Sequence, residues 1–332
     1  MSRGLRLAIA VDVGATNLRV ALGDSEGNLW KKASERTTRE GDEYAVAEQV
    51  ARMIREVASE RALERVEAVG VGTIGPLDLR RGRVVGAPNL PFKEFELGEP
   101  LYRELKKPVY VLNDCVAAAW GEKHYGAGRE VDNLVYVTIS TGIGAGAVVD
   151  GTLLLGKDGN AHEVGHTVVD ARGIMVCGCG KRGHWEAYCS GANIPRFAEY
   201  LLERLPSEVA SHSVLARAKE EGELTAELVY RAAREGDRAA LEIVREIGRL
   251  NAIGFANVVS VYDPELITVG GSVALNNPDL VLEPIRERIA DYTVNRVPRI
   301  ELTPLGGDVV LYGALAVALS PPPNLLDKIE YM

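Results

Sequence analysis

The sequence predicts an α/β protein of two domains around a cleft. The chain has 332 residues, 46% of them hydrophobic, which is more than one ordinary core organises. Short β-branched runs alternate with amphipathic stretches of helical period. A layout of strand, Gly/Thr turn, strand, short turn, strand begins near residue 7 and again near residue 134, a weak internal repeat.

Leu7 to Val11 is a continuous apolar run that stops at Asp12-Val13-Gly14-Ala15-Thr16-Asn17. Leu18, Val20, Ala21 and Leu22 then resume before Gly23-Asp24, so two strands joined by a tight polar turn are expected. Trp30 to Thr37 adds a third, antiparallel strand, Asp42 to Ala62 reads as one amphipathic helix, and Val66 to Val71 is a buried strand. Val109 to Leu112 is a further strand, leading into a helix from Asp114 to His124. In the second half, Leu134 to Ser140, Ala145 to Val149 and Thr152 to Leu155 read as strands, with Asp150-Gly151 as a two-residue hairpin turn. Helices are expected at Ile194 to Leu205, Thr225 to Glu235 and Arg238 to Val261. The strand Leu266 to Val269 runs into Gly270-Gly271-Ser272, followed by a helix from about Leu280 to Tyr292. Ile300 to Leu302 is expected as a last strand and Val310 to Leu319 as a last helix. The domain division falls at residues 1–112 with about 310–332 for a small α/β domain, and 113–309 for a large one. No low-complexity linker separates them, so close packing is expected.

Composition excludes several classes. A net charge of -9 argues against general nucleic-acid affinity, which needs clustered Lys and Arg. The apolar run at Leu5 to Val11 contains Arg6 and is far shorter than a membrane span, and no cleavable signal follows. A cytoplasmic location is therefore expected, without membrane attachment. Four cysteines, two of them in Cys177-Gly-Cys179, suit a reducing compartment with metal-bound thiolates better than a disulfide framework.

The densest chemistry lies between Gly159 and Gly191, which holds three of the five histidines, three of the four cysteines, and Glu163 and Glu186. Two readings compete. His162-Glu163-x-x-His166 has the form of a zinc-peptidase motif, in which two histidines one helical turn apart bind the metal. That motif needs a helix, but Asp158-Gly159-Asn160 precede it, Gly165 interrupts it and the β-branched Thr167-Val168-Val169 follows. The other reading is a structural zinc site in which His166, Cys177, Cys179 and His184 supply a tetrahedron of two nitrogens and two sulfurs. The ligand types and the Cys-x-Cys pair favour it.

Two turns have the composition of phosphate cradles: Asp12-x-Gly14-x-Thr16-Asn17, and Thr138-x-Ser140-Thr141-Gly142-Ile143-Gly144-Ala145-Gly146. Glycine lets backbone N–H groups approach an oxyanion, hydroxyl and amide groups add donors, and a neighbouring carboxylate can hold Mg2+. Taken singly, such a turn is more often a plain hairpin. Their duplication is what points to a nucleotide gripped by two related hairpins, as in the hexokinase–actin type of ATPase fold. Asn113-Asp114 stands at a strand end and opens a helix, where Asp serves either as an N-cap or as a base for a substrate hydroxyl. Gly75-Pro76, Asn89 and Glu186 are further candidates to line the cleft, and Gly270-Gly271 after a strand lets an adenine lie against the backbone.

Read in order, the chain carries DxGxTN at Asp12 to Asn17, GxxGP at Gly72 to Pro76, Pro88-Asn89-Leu90-Pro91 and Asn113-Asp114. STGIGAG follows at Ser140 to Gly146, then ExGH at Glu163 to His166, then CxCGxxG and a glutamate at Cys177 to Glu186. From residue 7 to about 319 this resembles the ROK family of sugar kinases, which includes glucokinases, fructokinases and N-acetylmannosamine kinases. The resemblance implies two actin-like (hexokinase/ribonuclease-H-like) domains and transfer of the γ-phosphate of ATP to the 6-hydroxyl of a hexose, with glucose as the leading substrate. Fructose, mannose or N-acetylmannosamine kinases are the alternatives. It implies that Asp114 is the general base and that Asn89, Asn113, Asp114, Glu163, His166 and Glu186 hold the sugar. Asp12, Gly14, Thr16, Asn17, Thr141, Gly142, Gly144, Gly270 and Gly271 would bind the nucleotide with Mg2+, and a dimer or tetramer is expected. His166 would join zinc and sugar. One departure is that His184 stands where the family usually has a third cysteine; another is Ala15, where it often has glycine. The family also includes sugar-sensing repressors with an N-terminal helix-turn-helix; only six residues precede the first strand here, so that reading is disfavoured.

Overall fold

The computed structural model describes residues 4–86, 92 and 94–332. Asn89, with the rest of Pro88-Asn89-Leu90-Pro91, lies outside the described residues. In chain order the strands are β1 (Leu7–Val13), β2 (Asn17–Asp24), β3 (Leu29–Arg36), β4 (Val66–Thr73), β5 (Leu77–Asp78), β6 (Arg83–Val85) and β7 (Glu94–Glu96). They continue as β8 (Val109–Asn113), β9 (Leu134–Ile139), β10 (Ile143–Val149), β11 (Thr152–Leu153), β12 (Leu266–Gly270) and β13 (Arg299–Leu302).

The internal repeat is realised as two five-stranded sheets of one topology, β3-β2-β1-β4-β8 and β11-β10-β9-β12-β13. In the first, β1, β2 and β3 form an antiparallel meander, and β4 and then β8 add in parallel beside β1. In the second, β12 and β13 are likewise parallel. Parallel neighbours need crossover connections, and helices supply them. The fold is the two-domain actin-like α/β fold. A third, three-stranded sheet of β5, β6 and β7 had no clear signal in the sequence, because its strands are only two or three residues long.

Alternation along β1 sends Ile9, Val11 and Val13 to one face of the first sheet and Ala8 and Ala10 to the other. On the large-residue face lies the helix Ala45–Val57, which buries Val46, Val50, Met53, Ile54 and Val57. The alanine face takes the helix Val309–Leu319 through Leu311, Ala314, Leu315 and Ala318. Small residues are needed there because the backbones nearly touch: a Cβ on Gly70 would lie 1.9 Å from the Ala314 carbonyl oxygen. The helix Asp114–His124 packs on the same helix, and a Cβ on Gly313 would lie 2.0 Å from the Ala117 carbonyl oxygen. Gly313→Ala is therefore expected to cost about 1–3 kcal/mol by overpacking, seen as a lowered thermal midpoint; an unchanged midpoint would refute this close crossing.

Residue contacts group the chain into two compact units. The first comprises residues up to Tyr136, Gly146–His162 and Thr303–Met332; the second comprises Val137–Ala145 and Glu163–Leu302. This differs from the division drawn at 112 and 310, because the helix Asp114–His124 packs on Val309–Leu319 within the first unit. The helix expected over Asp42 to Ala62 is two helices, Ala45–Val57 and Glu60–Arg65, broken where Ala58 turns extended and Ser59 caps the second. The helix expected to reach Tyr292 ends at Arg288 and passes into a 3₁₀ turn. Among the described residues no helix is long and apolar enough to cross a membrane.

Candidate active site

In the first unit, β8 delivers Asn113 and Asp114 to the start of the helix Asp114–His124. The sequence left the capping role open to Asp114, but the cap is Asn113. Its side-chain oxygen accepts from the Cys115 and Val116 amides at 2.9 and 3.4 Å, which satisfies donors the helix cannot. Asp114 occupies the first helical position, with Oδ1 accepting from the Cys115 amide at 2.8 Å. The helix N-terminus favours its negative charge. Because the Asn113 oxygen is committed to the cap, only the amide nitrogen can serve a ligand. That nitrogen faces the Gly75-Pro76 turn, 3.3 Å from where a Gly75 Cβ would stand. The turn is itself held by Asn160, which donates to the Leu77 carbonyl and accepts from the Leu77 amide, each at 3.1 Å.

The turn between β1 and β2 exposes Thr16 and Asn17 and is closed by the Gly14 amide on the Asn17 carbonyl at 3.0 Å. A Cβ on Gly14 would sit 2.9 Å from that carbonyl oxygen, so glycine is required. Asp12 is buried, and its Oδ2 receives two nitrogens of Arg19, the Nε at 2.8 Å. Burial pushes the Asp12 carboxyl above its ordinary range, against the pull of Arg19. Arg19 also donates to the Gly307 carbonyl at 2.7 Å and lies 3.4 Å from Asp308. Arg19 was not anticipated, although a signal existed: in a hairpin with this turn, Asp12 and Arg19 are cross-strand partners.

In the second unit the turn Ser140-Thr141-Gly142 is backed by the Gly191 and Ala192 amides, which donate to the Ser140 and Thr141 carbonyls at 2.7 and 3.2 Å. Gly270 ends β12, and Gly271 follows at φ +87°, where a Cβ would lie 2.5 Å from the Ile139 carbonyl oxygen. Ser272 meets Ser140 at 3.1 Å. The structure thus brings Gly270-Gly271 beside the Thr141-Gly142 turn, while Gly144 lies within β10.

The same unit carries the His/Cys loop. A tight turn from Cys177 to Lys181, closed by the Cys177 and Gly180 amides, presents both cysteines. Val168 bridges His184, which returns the chain to the strip after His166. The ligand atoms of His166, Cys177, Cys179 and His184 all lie within 4.8 Å of one another. His166 Nδ1 is 3.7 Å from Cys177 Sγ, and His184 Nδ1 is 3.4 Å from Cys179 Sγ. Tetrahedral zinc requires about 3.5 Å between bound nitrogen and sulfur, so the four residues fit such an ion. Burial pushes the Cys177 thiol up to about 12, so a nearby cation is what would hold its thiolate. Burial, then the neighbouring His166, lowers the pKa of His184, which favours the neutral imidazole a metal needs. Nε2 of His166 lies 3.7 Å from the Glu163 carboxylate, beyond hydrogen-bond distance.

Glu186 is anchored from both sides. Its Oε2 accepts from the Ile143 amide at 2.9 Å, beside Gly142, and its Oε1 lies 3.5 Å from Cys177 Sγ. Beneath it, Trp185 is fully buried and donates to Asn251 at 2.8 Å. Residues 162 to 166 form no α-helix; only Val164–His166 make a 3₁₀ turn, and His162 is buried with Nε2 3.0 Å from the Gly159 carbonyl. The peptidase reading fails on this geometry.

Residues 8–320 match the ROK family. The chain is 43% identical over 317 residues to a glucokinase of Pyrobaculum calidifontis, covering 96% of each chain. A ROK hexokinase structure from Thermus thermophilus is similar at 33% identity and a TM-score of 0.78, covering 94% of this chain and 98% of that one. A ROK-family glucokinase structure from Streptomyces griseus, in complex with glucose and AMPPNP, is similar at 32% identity and a TM-score of 0.76, covering 94% and 99%. A match over nearly the whole length, joined to the repeated sheet and the His/Cys loop, places this chain in the ROK family.

Proposed function

We propose that the protein is a glucokinase that transfers the γ-phosphoryl group of ATP to the 6-hydroxyl of glucose. Asp114, at the helix N-terminus beside the capping Asn113, is the observation that carries the reading. Its carboxylate takes the hydroxyl proton as the hydroxyl oxygen bonds to phosphorus and the bond to ADP breaks. The Asn113 amide nitrogen donates to a sugar oxygen, and Glu163, His166 and Glu186 hold the remaining hydroxyls, with Asn89 added on the family pattern. Gly14, Thr16 and Asn17, with Thr141, Gly142 and Gly144, serve the phosphates, and Gly270-Gly271 the adenine. Magnesium would supply charge neutralisation when bound with the nucleotide, and Asp12, whose Oδ2 is engaged by Arg19, is the residue that would help hold it.

His166, Cys177, Cys179 and His184 would hold a zinc ion, and His166, fixed in that way, would be turned toward the sugar without taking part in the reaction. Four cysteines outside any disulfide are consistent with a reducing, cytoplasmic setting. Assembly as a dimer or tetramer is part of the same reading, checked by light scattering.

The test is ADP release from purified protein across glucose, mannose, fructose and N-acetylmannosamine, with ATP and polyphosphate as donors. Glucose with ATP should give the highest kcat/KM. No turnover of any hexose with either donor would overturn the reading. Within it, Glu186→Ala is expected to raise the glucose KM by about 10- to 100-fold, because an unpaired buried polar group is costly. An unchanged KM for every hexose would make Glu186 a structural residue of the metal loop.

A further inference from the structure

Residues 321–332 follow the stretch matched to the family, yet they are woven into the first unit. Asn324 donates to the Leu153 carbonyl at 2.9 Å. The Glu330 amide donates to the Arg80 carbonyl at 2.9 Å, and its carboxylate pairs with Arg80 at 2.7 Å. The deepest contact is Tyr331. Its ring lies against two glycines: a Cβ on Gly82 would stand 2.6 Å from it and one on Gly98 2.5 Å. Gly82 also has φ +63°, so this turn both needs glycine and leaves room for a flat ring alone. The Tyr331 hydroxyl donates to the Val109 carbonyl at 3.0 Å, and the Val109 amide donates to Met332 Sδ at 3.1 Å.

These contacts converge on the residues around Asn113. Val109 begins β8, the edge strand of its sheet, which ends at Asn113. Covering an edge strand supplies partners for groups that otherwise lack them. Gly82 closes the turn between β5 and β6, and β5 begins at Leu77, clamped by Asn160 next to the Gly75-Pro76 turn that faces the Asn113 amide. One ring therefore ties both structural routes into that site. We infer that Tyr331 is a positioning residue for the hexose side of the site, holding the β5–β6 turn and β8 in fixed relation.

Burial pushes the Tyr331 phenol above its ordinary range, so it remains a donor at working pH. The inference rests on the hexose-kinase reading, and the experiment separates the two. Tyr331→Ala is expected to raise the glucose KM about three- to tenfold while the ATP KM and kcat stay within about twofold. Tyr331→Phe, which keeps the ring and loses only the Val109 bond, should remain within about threefold of wild type. In parallel, hydrogen exchange of Tyr331→Ala should quicken at residues 77–86 and not in the helix Arg238–Tyr262 of the other unit. Equal rises in both KM values, unchanged glucose KM, or faster exchange throughout would overturn the positioning role. Should wild-type protein phosphorylate no hexose, the functional reading fails, and local against general exchange still decides the role of Tyr331.

Discussion

Asp114→Asn is expected to keep the fold and to lower kcat by about 10²- to 10⁴-fold, the usual worth of a positioned general base. The fold survives because the asparagine oxygen can still accept from the Cys115 amide, and Asn113 still caps the helix. What is lost is the ability to take a proton from the attacking hydroxyl. Sugar affinity should change little, since an amide fills the same volume and can still hydrogen-bond the 6-hydroxyl. Steady-state kinetics on glucose, with binding followed by intrinsic fluorescence, checks both halves. Near-wild-type turnover would remove Asp114 from the chemistry.

Protein purified without chelator should carry about one zinc ion per chain, and Cys177→Ser should lose it. Glucose kcat/KM should then fall about 10- to 100-fold, the usual cost of removing support from a metal-anchored group, because His166 would no longer be fixed. The loss should reach the sugar KM more than kcat, since the metal does no chemistry in this scheme. Elemental analysis settles the first half: absence of zinc from protein never exposed to chelator would sink the site. Zinc content retained in Cys177→Ser would show that Cys177 is not a ligand. No peptide hydrolysis is expected, because the residues that mimic a peptidase motif lack the helix that would pair them.

Much of this architecture was legible in the sequence because it is written in local patterns. The apolar run of β1, the helical period of Arg238–Tyr262 and the repeated strand–turn–strand layout are properties of neighbouring residues. So was the cluster of His166, Cys177, Cys179 and His184, whose ligand-type atoms the structure gathers within 4.8 Å, since three of the four lie within eight residues of one another in the chain. Gly165 and the β-branched run after it argued against a helix, and only a 3₁₀ turn forms at Val164–His166; Gly165 is there for space, since a Cβ would lie 2.1 Å from the Ile143 carbonyl oxygen.

Other features depended on which segments meet, and periodicity does not encode that. The break at Ala58-Ser59 interrupts a continuous amphipathic pattern, and propensity alone does not mark it. Whether Asn113 or Asp114 caps the helix turns on where the backbone leaves the strand: Asn113 is still extended at ψ 145°, and its side chain reaches the Cys115 and Val116 amides. The Arg19 clasp on Asp12 follows from strand register, the Glu186 contact with Ile143 from the approach of two distant loops, and the place of Tyr331 from a fit between two glycines sixteen residues apart. Spacing along the chain carried the element types, the repeated sheet and the cluster of His166, Cys177, Cys179 and His184. The tertiary structure alone decided which side-chain atoms remain available for chemistry, because a donor or acceptor is committed only once its partner from elsewhere in the chain has been brought within about 3 Å.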